Sequence, residues 1–511
     1  MTVIAEPDLR RHSGADRETS YRNEALLVAA LTLLGLAIRL YRLDTIPAEM
    51  WGDVLFHHYL ASLVLGHQFY LDYRFGGDGP MLSYIIAGLS ALFGLTFFTI
   101  KLATVLAGTL LVPLDYLLTR QLFGRRVAAI AALLTAISFW AITFSRQGKP
   151  YILAAVFFAL ALWLVLSGRQ LLGGVALGLG MYTQAAFWGA PLAFVTTPYV
   201  LLWGAIVALP VIVNFARNPS ALLGSSSYIG SKLHQQHSAT GIVLRVLDNI
   251  WRDILSYNVR GDATFRHNIP YHPNLDRLSG IFFVLGVALI LWRIGHHRDW
   301  RLLKWVVIPF AVIQIPSVLD QTASNIPAMG RMVGAVPLTM ATIAYALDRT
   351  AMVSLFWLRR LSHPRLVVGS TLAAVLIVIF GINFYNYFVV YPRTLPNGNT
   401  PFGATIATRI DQTSPRTYSF VIGCCWGDWG QPEPDAVSEV VTAHRYVITV
   451  QTFQDAASQI STLPRGSHVL LFMDPATPSA LYATLPVRVA SSWVLRRNGW
   501  DVARVLGGRS L

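Results

Sequence analysis

Long apolar runs separated by short polar loops fill the first 390 residues of the chain. Runs approaching the roughly 20 residues that cross a bilayer as a helix lie at 24–41, 99–119, 127–144, 151–166, 171–183, 280–292, 303–318, 332–347 and 366–389. The stretch 185–215 must hold two more crossings if the later loops are to keep a sensible orientation, although two full helices need about 40 residues. The expectation is about eleven membrane spans, all helical. The polar loops differ in charge. RQLFGRR (120–126), RIGHHRDWRLLK (293–304) and the segment 349–365 are strongly basic, which puts them, and the tail 1–23, on the cytoplasmic side. The loops 43–98 and 217–278 then face the extracytoplasmic side. Two helices along the membrane surface are expected within the first of these, near 53–65 and 80–92. The second is apolar but too short for a span.

After residue 390 the pattern changes. The linker 391–399 is rich in Pro, Gly and Asn. Beyond it, β-rich runs at 418–422, 446–450, 468–473 and 487–493 alternate with helix-like segments such as 452–461. This predicts a small extracytoplasmic α/β domain over 400–511, following a transmembrane domain over 24–390. It contains no GxGxxG or P-loop pattern, so no nucleotide is assigned to it.

Composition sharpens the membrane reading. Of 511 residues, 54% are hydrophobic and 13% charged, against about 25% charged in soluble domains. The net charge of +14 does not indicate nucleic acid, because the arginines concentrate in loops flanking apolar runs, where they meet membrane lipid. The first apolar run lacks a small-residue cleavage site and reads as a retained span. The two cysteines, Cys424 and Cys425, are neighbours. Neighbouring cysteines rarely bridge, so they are expected unpaired and buried at a strand end. Zinc spacings are absent, and no cofactor is expected.

The candidate chemistry centres on WGDVLFHHYLA (51–61). Asp53 stands just beyond the first span in a chain with few acids. Asp72 and Asp78 follow in the same loop. A helix starting near Asp53 puts His57 one turn on, on the same face, with His58 beside it. Asp53 and His57 as two metal ligands is the alternative, without further ligands to complete it; Asp53 as a helix cap is another. Arg146 and Lys149 (SRQGKPY) and Arg331 (NIPAMGR) are basic groups expected on the same side. Snorkelling explains any one of them, whereas three facing one carboxylate suggest an anion site. Tyr182 is a candidate pocket residue or an interface anchor. Asp115 is read as a structural ion pair with Arg120.

An Asp in the first extracytoplasmic loop followed by ASLVLG (61–66) resembles the C-type glycosyltransferases (GT-C). Within them it is most similar to bacterial relatives of dolichyl-phosphate-mannose–protein mannosyltransferases and of aminoarabinose transferases. GPMLSYIIAGLSALFG, RQLFGRRVAAIAALL, SRQGKPYILAAVFFALALWL, GLGMYT, HNIPYHPNLDRLSGIFFVLG and IPAMGRMVGAVP fall in the family order, over about residues 24–390. Many members carry an Asp-Glu pair where this chain has Asp53-Val54, and a second Asp where it reads Lys149-Pro150-Tyr151. The resemblance implies transfer of a sugar from a polyprenyl-phosphate donor to an acceptor glycan, lipid or protein on the extracytoplasmic face. It maps the catalytic carboxylate to Asp53 and a late-loop arginine to Arg331. Such chemistry uses a carboxylate to orient the acceptor hydroxyl. It also uses cations, here Arg331 with Lys149 or Arg146, to receive the departing phosphate. The alternatives are a lipid-linked glycan transporter or flippase, and a non-catalytic subunit of the same fold.

Overall fold

The computed structural model describes residues 14–73, 77–217, 238–319, 326–440 and 446–511. Among the described residues, nine α-helices make up the first part: α1 (Gly14–Leu40), α2 (Gly52–Leu65), α3 (Met81–Phe93), α4 (Phe97–Phe123), α5 (Arg125–Ile137), α6 (Phe139–Ser145), α7 (Tyr151–Leu166), α8 (Gln170–Gly180) and α9 (Pro198–Arg217). α4 shows how local chemistry sets the limits of a span. Thr96 accepts the Thr99 N–H at its start, and Gly124, at φ +90, ends it. At that lower end Arg120 and Arg125 pair with Glu24 at 2.9 and 3.0 Å. Asp115 is therefore not the partner of Arg120. It accepts from the hydroxyls of Thr119 and Thr135 instead.

Among the described residues, six helices are long and apolar enough to cross a membrane, or seven if the pair Arg125–Ile137 and Phe139–Ser145 counts as one bent span. This falls short of eleven spans. The chain breaks apolar runs that hydropathy alone would join or lengthen. The run 127–144 is bent by 54° at Ser138, whose extended backbone starts α6. The stretch 185–215 holds a ten-residue 3₁₀ helix, Ala185–Phe194, with Pro191 inside it, followed by one full span in α9. α3, α7 and α8 are apolar but shorter than 18 residues. Only 17% of the apolar window of Tyr21–Leu40, and likewise of Pro364–Thr394, is buried within the protein. Apolar surface on that scale belongs against lipid.

One element of the second long loop shows no sign in span-length hydropathy. Ala239–Ser256 is an amphipathic helix exposing Leu244, Leu247, Trp251 and Ile254 along one face. Its apolar positions are interleaved with Arg and Asp, so it has helical period without high average hydropathy.

The C-terminal part carries a five-stranded sheet in the order β2-β1-β3-β5-β4. β1 (Tyr418–Ile422), β2 (Tyr446–Val450) and β3 (His468–Met473) are parallel, while β4 (Val487–Arg497) and β5 (Trp500–Ser510) pair antiparallel. Phe402–Asp411 covers one face and Phe453–Ser461 the other, which is why β1 and β3 read as continuous apolar runs. β5 was not expected from the sequence, because its glycines and arginines dilute the β pattern. Cys424 and Cys425 are bonded to each other and exposed in the turn after β1, contrary to the unpaired, buried expectation. Cys425 sits at φ +71, which turns the chain there.

Candidate active site

Two buried cations hold the chain just ahead of Asp53. The Arg146 guanidinium donates to the carbonyls of Ile38, Arg39, Tyr41, Arg42 and Ile46 at 2.7–3.2 Å. Lys101 donates to those of Leu43, Ile46 and Pro47. The last carbonyls of a helix lack intrahelical partners, and cations are favoured there. The pair thus fixes how the chain leaves α1. Arg146 is fully buried in this role. It was expected as a donor-phosphate ligand; its Nη1 and Nη2 groups are instead committed to backbone carbonyls, and it is not one of the cations on Asp53.

Asp53 follows as the second residue of α2. Its Oδ2 accepts from Lys149 Nζ at 2.5 Å and from Arg266 Nη1 at 3.1 Å. Lys149 also donates to the Tyr151 hydroxyl at 3.2 Å. Gly148, at φ +71, lets the loop pass beneath α2. A Cβ there would lie 2.9 Å from Ile100 and 3.3 Å from Val54, so a side chain would push Lys149 away from the carboxylate. Arg266 comes from the loop before the helix Arg277–His297. Asp262 shapes that loop by accepting the Thr264 N–H at 2.7 Å, and the His267 ring N and the Met329 N–H at 3.0 Å each. His267 stands edge-on to Tyr151, ring centroids 5.4 Å apart.

The second carboxylate of the region, Asp78, pairs with His57 Nε2 at 3.0 Å, and both are buried. The loop 77–80 is tied to 182–185 by hydrogen bonds from Gly79, Met81 and Ala185 N–H groups. His58 is buried as well. The Tyr182 hydroxyl donates to the Val207 carbonyl in α9 at 2.9 Å, so that side chain braces two helices and does not line the Asp53 cluster. Beside it, Leu177, Met181, Leu201, Gly204 and Ala208 border an apolar cavity of about 250 Å³ between α8 and α9.

Arg331 is half-buried, in the turn before the helix Val336–Trp357. Its turn adjoins the cluster: Met329 is bonded to Asp262, and a Cβ on Gly330 would lie 3.3 Å from the Tyr151 ring. The cations that meet Asp53 are nonetheless Lys149 and Arg266. Arg266 was not singled out from the sequence. It is one of several cations in that loop, and the available signal was the adjacent Arg-His pair at the start of HNIPYHPNLD. Asp53 and His57 take different partners, so the two-ligand metal alternative is not built. Among the described residues no three His, Cys, Asp or Glu side chains converge for a metal.

The electrostatics follow from the pairing. Burial alone raises the Asp53 carboxyl, but Lys149 and Arg266 more than offset this and hold it below its ordinary 3.8. Burial also lowers Lys149, and this is outweighed by Tyr151, Asp78 and Asp53, which hold the ammonium above its ordinary value. The Asp53 side chain is 18% exposed and that of Arg266 32%, against 7% for Lys149. A ligand therefore has access from the Arg266 side.

The arrangement defines a polytopic helical membrane protein that clasps one carboxylate between two cations at the edge of its helix bundle. A family model described as dolichyl-phosphate-mannose-protein mannosyltransferase matches residues 78–213. ArnT from Cupriavidus metallidurans in the apo state is similar in structure, with a TM-score of 0.57 at 14% identity, covering 96% of this chain and 98% of that one. The same protein bound to undecaprenyl phosphate gives 0.54 at 14% identity, covering 94% and 97%. The oligosaccharyltransferase AglB from Archaeoglobus fulgidus, in complex with an inhibitory peptide and a dolichol-phosphate, gives 0.52 at 14% identity, covering 88% and 69%. No curated protein matches in sequence. The chain therefore has the C-type glycosyltransferase fold over almost its whole length, and the resemblance drawn from its ordered motifs holds. Identity this low speaks for fold and not for substrate.

Proposed function

We propose that this protein is a membrane glycosyltransferase that moves a sugar from a polyprenyl-phosphate donor to an acceptor hydroxyl on the extracytoplasmic face. The observation that carries the reading is the Asp53 carboxylate held between Lys149 and Arg266 while still open on the Arg266 side. A lipid-phosphate sugar already contains a good leaving group. What the reaction needs from the protein is an acceptor for the hydroxyl proton and positive charge for the departing phosphate. Both are present within one cluster.

In this reading the acceptor oxygen attacks the anomeric carbon as the bond from that carbon to the phosphate oxygen breaks. The electron pair leaves on the phosphate, and the hydroxyl proton passes to Asp53. In the resting site Asp53 is a weak base because two cations stabilise its charge. As negative charge builds on the leaving phosphate, Lys149 and Arg266 are drawn to it. Asp53 then recovers basicity at the moment the proton must move. A single displacement of this kind inverts the anomeric centre. The apolar cavity between α8 and α9 suits part of a polyprenyl tail. ArnT, similar over nearly its full length, has been solved bound to undecaprenyl phosphate, which supports this donor class. The basic loops support a cytoplasmic N-terminus, with the Asp53 loop and C-terminal domain outside.

Transfer from a radiolabelled polyprenyl-phosphate sugar to membrane acceptors, in vesicles containing the purified protein, tests the reading. Label should leave the lipid with the wild-type chain and stay there with Asp53→Asn. Equal transfer by both would refute the assignment.

A further inference from the structure

α2 begins without a cap of its own. Its N-cap residue is Trp51, whose side chain accepts nothing from the first turn. Helix starts normally recruit Ser, Thr, Asp or Asn for that purpose, because the first N–H groups have no partner inside the helix. Here the acceptor arrives from the C-terminal domain: Glu433 Oε1 takes the Gly52 N–H at 2.8 Å. The helix Phe402–Asp411 has the same defect, with Pro401 at its N-cap and no side-chain acceptor. Its acceptor comes from the opposite direction. Glu49, four residues before Asp53, takes the Gly403 N–H with Oε2 at 2.6 Å.

Each part of the protein thus caps a helix of the other with a glutamate. Both donors are glycines. A Cβ at Gly52 would lie 3.3 Å from a Glu433 oxygen, and one at Gly403 would lie 3.2 Å from a Glu49 oxygen, so a larger residue at either position would crowd the carboxylate. The seam carries further links. Asn399 accepts from the Ala48 N–H and donates to the Thr45 carbonyl, both at 2.8 Å. A row of rings, Trp51 against Phe265 and Phe265 against Trp429, joins the N-cap of α2 to the turn after β1 and to the residue preceding Arg266. The crossed caps therefore bear on the start of α2 and, beside it, on Asp53 and Arg266.

We infer that Glu433 is a positioning residue for the transfer reaction. By capping α2 at Gly52, the C-terminal domain sets where the helix starts and so where the Asp53 carboxylate stands between its two cations. The inference rests on the reading of Asp53 proposed above. It assigns the C-terminal domain a part in assembling the site, beyond holding an acceptor or a partner.

Hydrogen exchange and kinetics on the full-length protein in vesicles test it together. In Glu433→Ala, amides at 52–58 should exchange about five- to tenfold faster, the size expected for loss of a helix cap. The kcat should fall about tenfold, with KM for the lipid donor within about twofold, because the group acts on the geometry of Asp53 and not on binding. Glu433→Gln keeps an acceptor oxygen at the same reach and should restore both readouts to within about threefold. Glu433→Asp keeps the charge but draws the oxygen back by a methylene, and should resemble the alanine variant. If the alanine variant does not fold, seen as faster exchange throughout β1 and β3, the Gln and Asp variants decide the matter. Unchanged exchange at 52–58 in the Ala and Asp variants, or a Gln variant as impaired as either, overturns the inference. Full activity in Asp53→Asn would instead sink the reading of Asp53, leaving the exchange result to judge the cap alone.

Discussion

Arg146 and Lys149 lie three residues apart in one loop, and the protein uses them in opposite ways. Arg146 is fully buried and donates to five backbone carbonyls. Lys149 is nearly as buried, yet its ammonium faces the Asp53 carboxylate, a side chain with access to solvent. Carbonyl groups that close a helix end cannot be released without breaking that end, so Arg146 belongs to the fold. A carboxylate can exchange one cation for another or for a proton, so Lys149 and Arg266 can share their charge with a substrate. Burial does not separate a cation held by backbone from one that faces an exchangeable carboxylate. The kind of partner does.

The contrast is sharpened most by Asp53→Asn. Transfer should drop about 10²–10⁴-fold, the usual result of losing a general base. Protein yield and melting temperature in detergent should stay close to wild type. A large fall in melting temperature would move Asp53 to the structural side of the comparison. Arg146→Ala should do the reverse. Leaving several carbonyls at the end of α1 without a donor should lower stability by at least about 3 kcal/mol, at about 1–3 kcal/mol for each unsatisfied buried group. Thermal unfolding followed by fluorescence would register it, with activity lost only in proportion to folded protein.

Lys149→Met and Arg266→Ala should each slow transfer about 10- to 100-fold while the fold persists, because in the proposed mechanism each removes one of two charges drawn to the phosphate. Single-turnover rates at saturating donor would measure this. Arg331→Ala should cost less than about tenfold in the same assay, since Arg331 is not one of the two cations on Asp53. A loss as large as that of Arg266→Ala would restore it to the site as a donor ligand.

The smallest expected effect is in pH dependence. The folded Asp53 carboxyl is held below 3.8, so it binds fewer protons than the unfolded chain around that pH. Its contribution to stability is complete above 3.8 and is lost only as pH falls through the lower folded value. Between pH 5 and 7 neither stability nor the transfer rate should therefore show an acid limb from this group. A rate profile across that interval checks it, and an apparent pKa inside it that vanishes in Asp53→Asn would contradict the ion pairing.

The seam between the two parts of the protein adds a contrast of its own. Burial pushes the Glu49 carboxyl up to about 8, against hydrogen bonds from Gly403, Ala404 and Met50 that act to lower it. A carboxyl with a raised folded value stabilises the fold in its protonated form, and that stabilisation is lost as pH rises through about 8. Asp53 and Glu49 stand four residues apart, and their charges are set in opposite directions: by cations in one case, by enclosure in the other.

The sequence by itself determined what depends on composition and short-range pattern. Apolar runs of near-membrane length and the α/β alternation after residue 390 follow from local preference and solvent, so they are legible in one chain. Asp53 stood out as a candidate, an acid just beyond a span in a loop whose neighbours fall in a known order. Only the tertiary structure decided which cation meets it. Lys149, Arg146 and Arg331 looked equivalent as isolated basic residues, and Arg266 carried little signal. Their roles depend on partners 96 to 213 residues away. The bend at Ser138 and the 3₁₀ helix at 185–194 likewise interrupt what average hydropathy had joined. Glu433 is the furthest case. It caps a helix 381 residues upstream, and a hydrogen bond over that separation leaves no periodicity to read, because it is made by the packing of two finished folds.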